Sequence, residues 1–87
     1  MPSDDAVIAS HVRAELAKAR VTGRKLAEHM GWRADSTGRR LRGEIPFRAG
    51  ELASISRYLG VPIEKFYDDV TVTPPRGMPA VTPRAAS

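Results

Sequence analysis

Cysteine is absent from this chain of 87 residues, and histidine occurs only at His11 and His29. The absence of thiols excludes disulfides and thiolate metal sites, and nothing near either histidine has the spacing of a metal-ligand set. Aromatic residues make up 6% of the chain, and no apolar run approaches the ~20 residues that span a bilayer. The sequence therefore predicts one small domain without a metal, a cofactor or a membrane segment.

Positive charge is unevenly distributed along the chain, whose overall net charge is +4. Residues 18–48 include nine basic and three acidic residues, a net charge of +6, whereas the rest has five basic and seven acidic residues, a net charge of −2. The basic residues of this segment are Lys18, Arg20, Arg24, Lys25, Arg33, Arg39, Arg40, Arg42 and Arg48. Such a concentration of charge favours an anionic partner without identifying it.

Apolar periodicity predicts an all-α fold, a compact bundle of four helices and a short fifth. The expected helices run from about Asp5 to Arg20, Thr22 to Met30, Ala34 to Arg42, Ala49 to Leu59 and Ile63 to Tyr67. The expected inward stripes are Ile8, Val12, Leu16 and Ala19 on the first helix, Leu26, Ala27 and Met30 on the second, and Leu52, Ile55, Ser56 and Leu59 on the fourth. Gly31, Gly43 and Gly60 stand where a glycine commonly ends a helix.

These elements divide the chain into an N-terminal arm at residues 1–5, a helical domain at residues 6–69 and a tail at residues 70–87. The tail holds Pro74, Pro75, Pro79 and Pro83 and few large apolar groups. This composition cannot bury enough apolar surface to offset the entropy of ordering, so we expect a disordered tail.

The third helix is predicted to have two dissimilar faces. At ~100° per residue, Ala34, Thr37 and Leu41 fall inward, Asp35, Ser36, Arg39 and Arg42 fall outward, and Arg40 lies on a flank. The outward face is polar and mostly cationic. Gly38 weakens the helix by about 0.5–1 kcal/mol relative to alanine, so its formation depends on tertiary packing.

Three stretches of the chain resemble the Cro/C1-type helix-turn-helix family, in the form found in actinobacterial phages and prophages. They are Thr22 to Trp32 with Leu26-Ala27 and Gly31, Arg39 to Glu44 with Gly43, and Glu51 to Pro62 with Leu59-Gly60-Val61. The resemblance covers about residues 6–67. It implies a lambda-repressor-like bundle of five helices that binds a double-stranded DNA operator, in most members as a dimeric transcriptional repressor.

The resemblance also implies roles for the residues that match the family's motif. Base contacts are implied for Arg33, Ala34, Asp35, Ser36 and Arg39, on a recognition helix of about residues 33–42 in the major groove. Phosphate contacts are implied for Thr22, Gly23, Arg24, Arg40, Arg42 and Arg48. Gly23 stands where the family usually has glutamine, so a side-chain clamp is missing, and Arg24 is its expected substitute.

Several of these positions have a second interpretation. Asp35 either accepts a hydrogen bond from cytosine N4 or pairs with Arg39 one turn further on. Ala34 either touches a thymine methyl or packs into the core. The arginines either contact DNA or form a solvated charged face. Trp32 is expected in the core, with base stacking as the alternative.

The predicted function is therefore a sequence-specific regulator of the phage Cro or immunity-repressor kind, cytoplasmic in a bacterial host and associated with the nucleoid when bound. An antitoxin-like protein-interaction module and a recombination-directionality or architectural factor are the alternatives. No catalysis is expected, because neither an oxyanion site nor an orienting carboxylate accompanies Ser10, Ser36 or His11.

A homodimer is expected from the resemblance, with pairing only on DNA as the alternative. The expected interface lies on the fourth and fifth helices, at Tyr58, Val61, Ile63 and Phe66.

Overall fold

The computed structural model describes residues 3–68 and residue 70. These residues form four α-helices and no strand, namely α1 (Asp4–Ala19), α2 (Gly23–Met30), α3 (Ala34–Leu41) and α4 (Ala49–Leu59), followed by a 3-10 helix at Ile63–Tyr67. The predicted all-helical class is confirmed, and each α-helix begins and ends within one residue of its predicted bounds. The expected fifth helix has the tighter 3-10 geometry. The first two residues of the predicted arm and residues 71–87 of the predicted tail lie outside the described residues.

Local hydrogen bonds explain where the first two helices begin. The Ser3 hydroxyl accepts a hydrogen bond from the backbone N–H of Ala6, at 3.1 Å, and caps α1. The Thr22 hydroxyl does the same for α2 by accepting from the N–H of Lys25, also at 3.1 Å. Each cap satisfies one of the backbone donors that a helix leaves unpaired in its first turn.

The hydrophobic core lies between α1, α2, α4 and the 3-10 helix. Its buried members are Ile8, Val12, Leu16, Leu26, Leu52, Ala53, Ile55, Ile63 and Phe66. Met30 and Leu59, predicted to face inward, are partly buried against this cluster. The prediction for Ala19 is wrong, since this residue is exposed in the last turn of α1, where the helix extends past the core.

The end of α3 is fixed to α1. The Arg13 guanidinium donates a hydrogen bond from α1 to the backbone carbonyl of Leu41, one of the carbonyls that the end of α3 leaves unpaired. Gly43 follows with φ +83°, a left-handed conformation that glycine adopts without strain, and a Cβ there would lie 3.0 Å from the Ala6 Cα. These contacts place the C-terminus of α3 and the turn that follows it against α1.

Candidate nucleic-acid interface

The N-terminus of α3 projects into solvent. Arg33 is the N-cap residue, and Arg33, Ala34 and Asp35 are all exposed. The predicted inward position of Ala34 is therefore wrong, because the first turn of α3 extends beyond the part of the helix that contacts the core. The Asp35 carboxylate lies 3.4 Å from the Arg33 Nε, so its partner in the free protein is Arg33 and not Arg39.

The next turn of α3 is tied down by its own hydroxyl groups. Thr37, which is buried, donates from Oγ1 to the Arg33 carbonyl at 2.8 Å, and Ser36 donates to the same carbonyl at 3.1 Å. The Ser36 hydroxyl therefore donates its hydrogen within the helix, and towards a ligand it can only accept a hydrogen bond. Arg39, in contrast, is exposed and makes no ion pair with any described residue.

The N-terminus of α2 lies beside the C-terminus of α3. A Cβ added to Gly23 would lie 3.4 Å from the Leu41 Cδ1, which is van der Waals contact. Thr22 and Arg24 on either side of Gly23 are exposed. The predicted phosphate-binding turn of α2 and the end of α3, where Arg42 lies, are thus brought together.

Arg42 is already paired in the free protein. Its Nε donates to the Glu44 carboxylate at 2.9 Å, and both side chains are more than half exposed. The hydrogen bond and then the charge of Arg42 lower the pKa of Glu44, with a smaller contribution from Arg39, so the carboxylate is ionised at neutral pH. The guanidinium also extends back over Gly38, where an added Cβ would lie 3.3 Å from Nη1.

Arg40 differs from the other arginines of α3 because its side chain is 18% exposed. Its Nη1 lies 2.8 Å from the Glu51 Oε1 on α4, and its guanidinium carbon lies 4.3 Å from the centre of the Trp32 ring. Trp32 itself is partly buried against the core, as predicted, and contacts Phe47. The phosphate contact implied for Arg40 would thus have to replace an ion pair and a cation–π contact.

Arg48, the remaining predicted phosphate contact, is the N-cap residue of α4 and is exposed. Its backbone N–H donates to Glu51 Oε1 at 2.8 Å, and the same oxygen accepts a hydrogen bond from Arg40. Glu51 therefore connects α3 to the start of α4.

The sequence-based predictions assign no role to two residues of this region, Glu51 and Arg13. Glu51 follows the N-cap residue of α4 by three positions, which is the position of the glutamate in a capping box, and this spacing signals its bond to the Arg48 N–H. Its bond to Arg40 and the bond from Arg13 to Leu41 join residues distant in sequence. No local pattern indicates either of these contacts.

The expected dimer interface is only partly available. Ile63 and Phe66 are 2% and 0% exposed and belong to the core, so the prediction that they face a partner is wrong. Val61 is partly buried against the same core. Tyr58 is the large hydrophobic residue that is exposed among the described residues, and its ring stacks on His29 with the centroids 4.0 Å apart.

Neither a metal centre nor a membrane span is found in the part of the chain that the structure describes. No group of three or more histidine, aspartate or glutamate side chains there is placed to hold a metal ion. None of the described helices combines the length and the apolar character that crossing a bilayer would require.

Comparison with known proteins identifies a family. The model of the BetR domain matches residues 3–86, which is nearly the whole chain, and the chain therefore belongs to the BetR domain family. This membership indicates a small helical domain of the DNA-binding, regulatory type. No curated protein and no solved structure matches the chain.

Proposed function

We propose that this BetR-domain protein binds double-stranded DNA in a sequence-specific manner, with α2 and α3 as a helix-turn-helix and α3 in the major groove. The observation that carries the proposal is the exposure of the N-terminus of α3 and of its outward face. Arg33, Asp35 and Arg39 lie in solvent on a helix that buries only Thr37. A helix with its side chains is ~10–12 Å wide and fits a major groove ~12 Å wide.

Direct base contacts are assigned to the N-terminus of α3 and to its outward face. Arg39 is unpaired and can donate two hydrogen bonds to guanine O6 and N7 without first losing a partner. Arg33 is held near Asp35, and the pair offers a donor and an acceptor to one G·C base pair or to two neighbouring ones. The exposed Ala34 methyl group suits contact with a thymine methyl, and Ser36 contributes an acceptor.

Phosphate contacts are assigned to the start of α2 and to the two ends of the segment between α3 and α4. The free amides of Gly23 and Arg24 lie at the positive end of the α2 dipole, which favours an anion. Arg24 adds a charged side chain there, and Arg42 lies beside this turn at the end of α3. Arg48 begins α4 on the far side of the loop.

The resemblance to the Cro/C1-type family supports a regulatory role, and repression of transcription is the form that we propose. A repressor binding a partly palindromic operator as a dimer would place two α3 helices ~34–36 Å apart. Tyr58 and Val61 are the residues of the expected interface that still reach the surface. The proposed role is binding, and no catalytic residue is assigned.

Selection from a pool of randomised duplexes with the full chain tests this proposal. We expect enrichment of a short motif that contains at least one G·C pair, and binding that weakens with salt because phosphate contacts release counterions. Anisotropy titrations of the enriched duplex, a scrambled duplex and the corresponding single strand supply the comparison. Failure to enrich any motif, or equal affinity for all three probes, would contradict sequence-specific duplex binding.

A further inference from the structure

Arg40 and three residues near it form one connected group, which we call the Arg40 cluster: Trp32, Arg40, Arg48 and Glu51. Trp32 lies in the turn before α3, and its ring receives the Arg40 guanidinium at 4.3 Å. Glu51 Oε1 accepts hydrogen bonds from both Arg40 Nη1 and the Arg48 backbone N–H, each at 2.8 Å. The cluster thus includes the turn before α3, α3 itself and the start of α4.

This cluster supplies a link that backbone packing does not. Helix α3 packs closely against α2 and α1, whereas close packing against α4 is lacking. Among the ion pairs of the described residues, the one between Arg40 and Glu51 joins α3 to α4. The Glu51 and Arg40 side chains are only 20% and 18% exposed, so solvent weakens this pair less than it weakens the other ion pairs of α3.

We propose that Arg40 is a positioning residue and not a phosphate contact: held between Trp32 and Glu51, it fixes α3 relative to the start of α4. The outward face of α3 and Arg48 then meet one duplex in a set geometry, which is what discrimination between bases requires. This inference rests on the proposed function, because it assigns the geometry to α3 as the base-reading helix.

The Arg42–Glu44 pair, directly after the C-terminus of the same helix, provides the matched contrast. Both side chains are more than half exposed, and neither one links α3 to another helix. Removing the Glu44 carboxylate frees Arg42 for a phosphate, so Glu44→Ala is expected to strengthen binding to all duplexes alike. The salt dependence should steepen by up to about one in the log–log slope, because Glu44 no longer competes with the phosphate for Arg42.

Glu51→Ala is the decisive variant, because the two roles for Arg40 predict opposite results. If Arg40 is a positioning residue, the preference for the selected duplex over a scrambled one falls by about fivefold or more, which is the contribution of one two-pronged base contact, and the salt slope does not rise. If Arg40 instead contacts phosphate, Glu51→Ala behaves like Glu44→Ala, with tighter binding to both duplexes, an unchanged preference and a steeper slope. That outcome would overturn the inference.

Arg40→Met provides the second test, since methionine keeps an apolar stem over Trp32 and removes the charge. A positioning role predicts the same loss of base preference as in Glu51→Ala. The double variant, Glu51→Ala with Arg40→Met, should lose little more base preference than either single variant, because both changes break the same link. A phosphate contact predicts uniform weakening for all sequences and a slope lower by about one. Additive losses in the double variant would also count against positioning.

A general loss of stability must be separated from a loss of geometry. Ile55→Val is the matched control, because it removes a buried methyl group from the same helix as Glu51 and lowers stability without removing a contact of the Arg40 cluster. All titrations are made at a temperature where circular dichroism shows each variant folded. Retained base preference in Ile55→Val, together with its loss in Glu51→Ala, supports positioning, whereas equal losses in both variants contradict it.

Trp32 is the single tryptophan of the chain and gives a readout that needs no DNA. Loss of the Arg40 guanidinium from its ring should shift the emission spectrum in Glu51→Ala and Arg40→Met, and should increase quenching by neutral acrylamide in Glu51→Ala, whereas Glu44→Ala should show neither change. Unchanged Trp32 fluorescence in the first two variants would overturn the inference. If the wild-type protein selects no duplex although these changes in fluorescence occur, the proposed function fails and the cluster remains a structural link only.

Discussion

Helices α4 and α3 are held in the bundle by different kinds of contact. α4 buries Leu52, Ala53, Ile55 and Ser56, and its contacts with α1 and the 3-10 helix are largely apolar. α3 buries only Thr37, and besides its packing against α2 and α1 it is held by hydrogen bonds and an ion pair, chiefly those of Arg13 and Arg40. Apolar burial stabilises without regard to direction, whereas these polar contacts fix orientation. Substitutions around α4 should therefore affect stability, and substitutions on α3 should affect binding.

The largest effect on stability is expected in the apolar core. Phe66→Ala should lower the free energy of unfolding by about 3–5 kcal/mol, because the ring is fully buried in the core between α1, α4 and the 3-10 helix. Urea denaturation measures the loss, and Phe66→Leu is the milder control. A change in oligomeric state with little loss of stability would instead indicate that Phe66 lies in a dimer interface, and it would contradict the assignment of Phe66 to the core.

The outward face of α3 should give the opposite pattern. Arg39→Ala should weaken binding to the selected duplex by about 1–3 kcal/mol and relax the preference at one base pair, with the free energy of unfolding changed by less than about 0.5 kcal/mol. Arg57→Ala removes an exposed arginine from the last turn of α4 and serves as the control. Equal losses of affinity and preference in both variants would show that only net charge matters.

Two helix caps allow the comparison to be made at equal cost in stability. Thr22→Ala and Ser3→Ala each remove a side-chain acceptor from the first turn of a helix and should cost about 1 kcal/mol of stability. Only Thr22→Ala should also weaken duplex binding, because α2 begins beside the end of α3. Thermal melting and anisotropy titration check both effects. Similar losses of binding in the two variants would argue against a phosphate contact at the start of α2.

The smallest effect is expected from strengthening α3. Gly38→Ala should raise the free energy of unfolding by about 0.5 kcal/mol, at the lower end of the ~0.5–1 kcal/mol that separates the two residues in a helix. The gain lies at the lower end because the new Cβ, 3.3 Å from Arg42 Nη1, displaces that flexible guanidinium. Chemical denaturation measures the gain, and Gly50→Ala in α4, where a Cβ meets nothing within 4 Å, is the unobstructed control. A loss of stability would indicate that α3 is packed more tightly than its exposure suggests.

The positions of the helices were largely predictable because their signals are local. Ser3 and Thr22 cap, and Gly31 and Gly60 end, the helices that the apolar periodicity indicates. The periodicity is less informative at helix ends, where Ala19 and Ala34 have apolar side chains but lie beyond the core. It also does not separate an α-helix from the 3-10 helix at Ile63–Tyr67, because a single turn does not establish a period.

The sequence by itself determined an all-helical domain, the bounds of its helices and the positive charge of the segment that includes α2 and α3. Tertiary structure alone decided which of the arginines remain exposed and which carboxylate each one meets. Arg39 and Arg40 are neighbours in sequence, yet Arg39 is free in solvent whereas Arg40 is bound to Glu51 and Trp32. Consecutive residues on a helix point ~100° apart, and only the position of α4 determines which of those directions meets a carboxylate.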